Sequence, residues 1–169
     1  GYLAADPTAP FAENLSSYAV LLPFEEPGPL SAYTHLRLHN GTIWRWVRML
    51  IGFDADGAPH LRVEQRVMPA GPSIIDMIAN AAFYYGAVHM LARQAVAPES
   101  RLPFAVARDN FYRAARHGLS APLIWFDGRE ASAGELLSGE LLPLAREGLA
   151  RLDLADADAE RYLGLIADR

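Results

Sequence analysis

His39–Ser73 reads HNGTIWRWVRMLIGFDADGAPHLRVEQRVMPAGPS, and its reading decides the fold of the rest. Two runs rich in β-branched and aromatic residues flank a short polar break, and a Pro-Ala-Gly-Pro passage follows them. Ala55-Asp56-Gly57 fits a three-residue hairpin loop, a type I turn closed by a glycine at positive φ. That loop sets the register. Asp54 faces Ala58, Ile51 faces Leu61, Met49 faces Val63 and Val47 faces Gln65, which makes one mostly apolar face. The other face pairs Leu50 with Arg62, Arg48 with Glu64 and Trp46 with Arg66, with Trp44 further along. Because side chains alternate with period two, a slip of one residue would exchange the two faces. Two tryptophans, a glutamate and arginines on one surface exceed what a solvated strand needs.

Upstream, residues 1–33 are proline-rich and weakly periodic, as an N-terminal arm would be. Ala19–Pro23 has the composition of a short strand, and 24–31 that of a loop. Thr34–His39 alternates, THLRLH, and is predicted to be a strand with His35 and His39 on one side. On a strand those two histidines stand too far apart to share a metal ion, and no third ligand is near.

Downstream, Pro72 suits the first position of a helix. From about 73 to 96 the sequence is helical in pattern and apolar almost all round, as a helix in the middle of a domain is. Asp76, Asn80, His89 and Arg93 argue against a membrane span. Asp76, Asn80 and Tyr84 form a polar stripe along it. Further helices are predicted at about 105–117, ending at Gly118, at 133–152 and at 157–168. Ser132 and Glu135 have the spacing of a capping box. Pro122–Phe126 and Glu130–Ser132 read as a small hairpin about Asp127-Gly128. The last helical pattern runs to Arg169 without a cap, which suggests a piece of a longer protein. Strands early and helices late predict an α+β fold, with the antiparallel hairpin at about 43–67 packed against the long helix.

The 169 residues carry a net charge of −5 and no cysteine. Disulfides, thiolate metal sites and a cysteine nucleophile are thereby excluded. The acidic balance argues against a nucleic-acid partner. The N-terminus has no signal-peptide pattern, and a cytoplasmic location is expected. No dinucleotide fingerprint, P-loop, nucleophile elbow or zincin motif is present.

The residues that remain form a pattern. His39 and Thr42 precede a strand carrying Val47-Arg48, and a second strand carries Glu64-Gln65-Arg66. A later helix holds Asn110-Phe111-Tyr112-Arg113-Ala114-Ala115-Arg116-His117-Gly118. In order and spacing these resemble the second half of the glutamate–cysteine ligase family, in particular the related bacterial carboxylate–amine ligases. The resemblance covers about 34–169, and implies the C-terminal part of a glutamine-synthetase-like catalytic domain. It implies an ATP-dependent ligase that joins a carboxylate, glutamate first, to an amine such as cysteine through an acyl phosphate, as in glutathione biosynthesis.

On that resemblance Glu64 would hold Mg²⁺. Arg66 and Arg48 would serve catalysis at the substrate carboxylate or a phosphate. Arg113, Arg116, Thr42, His39 and Asn110 would bind substrate or ATP. Such chemistry needs carboxylates on the metal and guanidiniums on the phosphate oxygens. The family's N-terminal half has no counterpart here, so the fragment is expected to be inactive alone and to pair with that half. Self-association through the exposed hairpin face is a second expected contact. The other reading is a non-catalytic module derived from the same fold that binds a small anion or a partner domain.

Overall fold

The computed structural model describes residues 1–3, 6–23 and 28–168. The first four residues of the expected loop at 24–31, and Arg169 at the end of the last helical pattern, lie outside them. The chain forms two compact units, Gly1–Pro69 and Ala70–Arg169. The boundary thus falls after the hairpin rather than at residue 33, because the N-terminal residues fold with it.

In the first unit, α1 (Ala9–Ser17) starts at a proline in its first turn and buries Phe11 and Asn14, three residues apart on one face. A 3₁₀ turn, Leu30–Ala32, leads to α2 (Thr34–Thr42). The expected strand at Thr34–His39 is therefore a helix. Leu36, His39, Asn40 and Ile43 fall at i, i+3, i+4 and i+7, and the last three of them are buried. A six-residue alternation cannot distinguish the two periods; the helical one prevails because it aims His39 and Asn40 at α1. Ala19–Pro23 forms no strand, as no other segment among the described residues pairs with it, and Val20 to Leu22 stay exposed.

Strands β1 (Val47–Phe53) and β2 (Pro59–Gln65) form the expected antiparallel hairpin. Every pair from Val47↔Gln65 to Ile51↔Leu61 stands in the predicted register. The Asp54 N–H donates to Ala58 O and the Gly57 N–H to Asp54 O, with Gly57 at φ +83°. A side chain there would be strained, which is why glycine closes the loop.

In the second unit, α3 (Ile74–Leu91) begins at Ser73, whose hydroxyl accepts from the Asp76 N–H. It ends about five residues earlier than the pattern suggests. After α4 (Pro98–Arg101) comes α5 (Phe104–His117), closed by Gly118 at φ +58°. β3 (Pro122–Ile124) and β4 (Glu130–Ser132) pair antiparallel. Ser132 caps α6 (Ala133–Leu136) in a complete capping box with Glu135. A π-helical turn, Leu137–Leu141, joins α6 to α7 (Leu142–Arg151), and α8 (Asp156–Ala167) ends the fold. The α+β architecture expected from the sequence is the one observed.

The core of this unit lies where α3 meets α7 and α8, around Ala87, Leu142, Ala145, Leu149, Ala159 and Leu163. The α3–α7 crossing is close enough that only small residues fit. A Cβ on Gly148 would run into the carbonyl oxygen of Gly86, and one on Gly86 into that of Ala145. α3 buries Asp76, Ala79, Gly86 and Ala87 on the side facing this crossing. On its other side Ile74, Met77, Ile78, Tyr85 and Val88 are exposed. Among the described residues, α3 is also the one helix long and apolar enough, by length and composition, to cross a membrane.

Candidate functional site

The hairpin register brings Arg48, Glu64 and Arg66 together. Arg48 Nε and Nη2 both reach Glu64 Oε2, at 2.9 and 2.7 Å, and its Nη1 donates to the Gly41 carbonyl at 3.3 Å. Arg66 Nε stands 3.9 Å from the same carboxylate oxygen. The Arg66 guanidinium also lies 5.7 Å from the centre of the Trp44 ring, a cation–π distance. Trp44 in turn meets Trp46 edge to face at 4.4 Å. The Arg48 side chain is 14% exposed and Glu64 36%, so the pair is partly withdrawn from water. Two guanidiniums and one carboxylate leave a formal charge of +1, suited to one further anionic oxygen group.

Glu64 is the one carboxylate of this cluster, and Arg48 already engages it; a Mg²⁺ ion held there would take its remaining oxygen ligands from phosphates and water. Among the described residues no group of three or more His, Asp or Glu side chains is placed to hold a metal.

His39 and Thr42 serve the fold of α2. His39 Nε2 donates to the Asn14 carbonyl at 3.1 Å, and Thr42 Oγ1 donates to the His39 carbonyl at 2.8 Å. Around them runs a buried polar network that sequence reasoning missed. Asn14 Nδ2 donates to Asn40 Oδ1 at 3.0 Å, and Asn40 Nδ2 to the Met49 carbonyl at 2.9 Å. Arg45 Nη2 donates to Asn14 Oδ1 at 2.9 Å. Asn40 and Arg45 lie inside the opening stretch, but the Asn14 that joins them comes from α1, outside it. An apolar groove of about 560 Å³ runs beside this network, bounded by Leu15, Val20, Leu22, Leu36 and Leu38.

Asn110, Arg113 and Arg116 sit in the second unit. Asn110 clips β3: its Nδ2 donates to the Ile124 carbonyl at 2.7 Å and its Oδ1 accepts from the Ile124 N–H at 3.0 Å. Arg113 Nη1 donates to the Pro122 carbonyl at 3.2 Å and stands 3.9 Å from Glu130. Arg116 is exposed. The hairpin loop of β3–β4 is tied down by Glu140, which accepts from Trp125 Nε1 at 2.8 Å and Arg129 Nη2 at 2.7 Å. Of the polar stripe on α3, Asp76 and Asn80 border a cavity of about 200 Å³ with Leu119, Leu137, Leu165 and Ile166. Asp76 receives a 2.7 Å bond from the Ser73 hydroxyl. Burial, and then the neighbouring Tyr85, raise the Tyr84 phenol above its ordinary pKa. At the other end of α3, desolvation and then Arg93 and Arg151 hold the His89 imidazole below its usual range.

On the apolar face of β1–β2, Met49 and Ile51 are half-buried. Val47, Val63 and Leu61 are exposed by 51, 56 and 40%. Comparison of the chain with family models, with curated proteins and with solved structures found no match.

Proposed function

We propose that the chain is part of an ATP-dependent ligase that joins a carboxylate, glutamate first, to an amine through an acyl phosphate, acting in the cytoplasm. The observation that carries this reading is the convergence of Arg48 and Arg66 on Glu64. In such an enzyme, bound ATP with its Mg²⁺ supplies the phosphoryl group. The part of these residues is to hold an anion. Arg66, stacked on Trp44 and only loosely paired at 3.9 Å, turns its guanidinium fork toward a carboxylate or phosphate oxygen. Glu64 holds Arg48 in place, so that a second positive charge stays beside that anion without reorganising on binding.

In the intact catalytic domain, Arg66→Gln is expected to lower ADP release in the presence of ATP, glutamate and amine by about a hundredfold. ADP release at the parent rate would remove the hairpin from the chemistry. A second reading is a non-catalytic module that binds an anion or a partner domain. The pairing of Glu64 with Arg48 and the open apolar face of the hairpin favour it. Thermal shift separates the two: glutamate and Mg-ATP together stabilise a ligase beyond either alone, whereas a simple anion site responds to each independently.

A further inference from the structure

The sequence of α3 is apolar on both sides, yet α7 and α8 cover one side only. Ile74, Met77, Ile78, Ala81, Tyr85 and Val88 recur at intervals of three and four residues and so share the opposite face. Ile74 is 74% exposed and Tyr85 64%, and Met77, Ile78 and Val88 are each at least 40% exposed. From Ile74 to Val88 the one charged side chain is Asp76, on the buried side. An apolar stripe four turns long, uninterrupted by charge, marks an interaction surface rather than scattered exposed residues.

The order of side chains along the stripe selects the occupant. Counted from Ala81, Ile74 and Val88 stand seven residues to either side, Met77 and Tyr85 four, and Ile78 and the half-buried Tyr84 three. Two copies of α3 laid antiparallel about a two-fold axis at Ala81 therefore place Ile74 against Val88 and Met77 against Tyr85. The smallest side chain falls on the axis, where the two helices come closest. That is the self-complementarity an isologous dimer requires. The exposed side chains present roughly 500 Å² per copy, so a pair that covered all of it would bury about 1,000 Å², the lower limit for a specific interface. We infer that the chain associates with a second copy of itself through the Ile74–Val88 face of α3, antiparallel and centred on Ala81. This surface uses none of the hairpin residues assigned to anion binding.

The experiment uses the whole chain, which has no cysteine. Sedimentation equilibrium is expected to show a dimer at micromolar concentration. Tyr85→Glu, at an exposed position, should raise the dissociation constant at least tenfold with an unchanged circular dichroism spectrum. Met77→Lys combined with Tyr85→Glu should restore the dimer, since antiparallel pairing sets each new lysine against a new glutamate. Under mild oxidation Ala81→Cys should form a covalent dimer and Ser100→Cys should not; this result decides the matter if Tyr85→Glu perturbs folding. A wild-type chain monomeric at about 100 μM would overturn the inference. So would a dimer indifferent to Tyr85→Glu, or one in which Ala81→Cys fails to cross-link. Flotation of a monomeric wild type with anionic phospholipid vesicles, lost in Tyr85→Glu, would also overturn it by assigning the face to a lipid surface.

Discussion

The interior of residues 1–69 closes around Asn14, His39 and Asn40, and that of residues 70–169 around Ala145, Leu149 and Leu163. In the first unit, hydrogen bonds between buried amides, an imidazole and backbone carbonyls tie α1 and α2 to β1, while Val47 and Val63 face solvent. In the second, two helices approach until glycine backbones touch, and apolar side chains fill the remainder. The two interiors should fail differently. A core held by contact density is damaged by adding atoms, and a core held by polar pairing by removing a partner.

The sharpest way to break the contrast is Gly148→Ala. One methyl group has no room against the Gly86 carbonyl, and all three atoms it would meet are Gly86 backbone. The expected loss is about 3 kcal/mol in urea unfolding of the second unit, at the upper end for overpacking. Protection of the hairpin amides from hydrogen exchange should stay unchanged. Equal loss in both units would mean that they do not unfold separately.

Next in size is Asn14→Ala. Asn14 is fully buried, and its removal leaves Asn40 Oδ1 without a donor and deprives Arg45 of an acceptor. A cost of about 2 kcal/mol is expected, that of an unsatisfied buried polar group, with faster exchange confined to the first unit. A neutral result would return the first unit to the status of a loose arm.

The smallest expected effect is at the α6 cap. Ser132→Ala should cost about 1 kcal/mol by the same urea measurement. The Glu135 carboxyl is held below its ordinary pKa by the backbone and then the side-chain hydrogen bonds of Ser132. Its contribution is therefore complete above the unfolded-state pKa and fades as pH falls through the lower folded value. In the Ser132→Ala variant, unfolding followed between pH 5 and pH 3 should depend less steeply on pH than in the parent.

What the sequence made legible was local and periodic. The Asp56-Gly57 loop, the strand register, the Ser132–Glu135 box and the Gly118 terminus depend on residues a few positions apart, and each is present in the structure. Arg48, Glu64 and Arg66 could be placed on one face for the same reason. The misreadings arose where distant partners decide. THLRLH satisfies both periods, and only Asn14, more than twenty residues upstream, selects the helix. The apolar hairpin face was legible as a face, but the pattern does not say what covers it. Asn110 and Arg113 came as ligand-binding candidates through the family resemblance alone, and their bonds to the Ile124 and Pro122 carbonyls depend on β3, which that motif does not contain.

The π turn between α6 and α7 holds one residue more than an α-helical turn would. Each residue of an α-helix advances it by about 100°, so that extra residue is stored as angle. The cap at Ser132 and the β3–β4 loop, tied by Trp125 and Arg129 to Glu140 within the turn, stand on one side of that phase jump. The Ala145–Gly148 surface that meets α3 stands on the other. Shortening the turn by one residue, as at Gly139, would leave both halves helical and turn one against the other by about a quarter of a revolution. The turn works as a fixed gear: its residue count sets the phase between the capped end at Ser132 and the helix surface that meets α3.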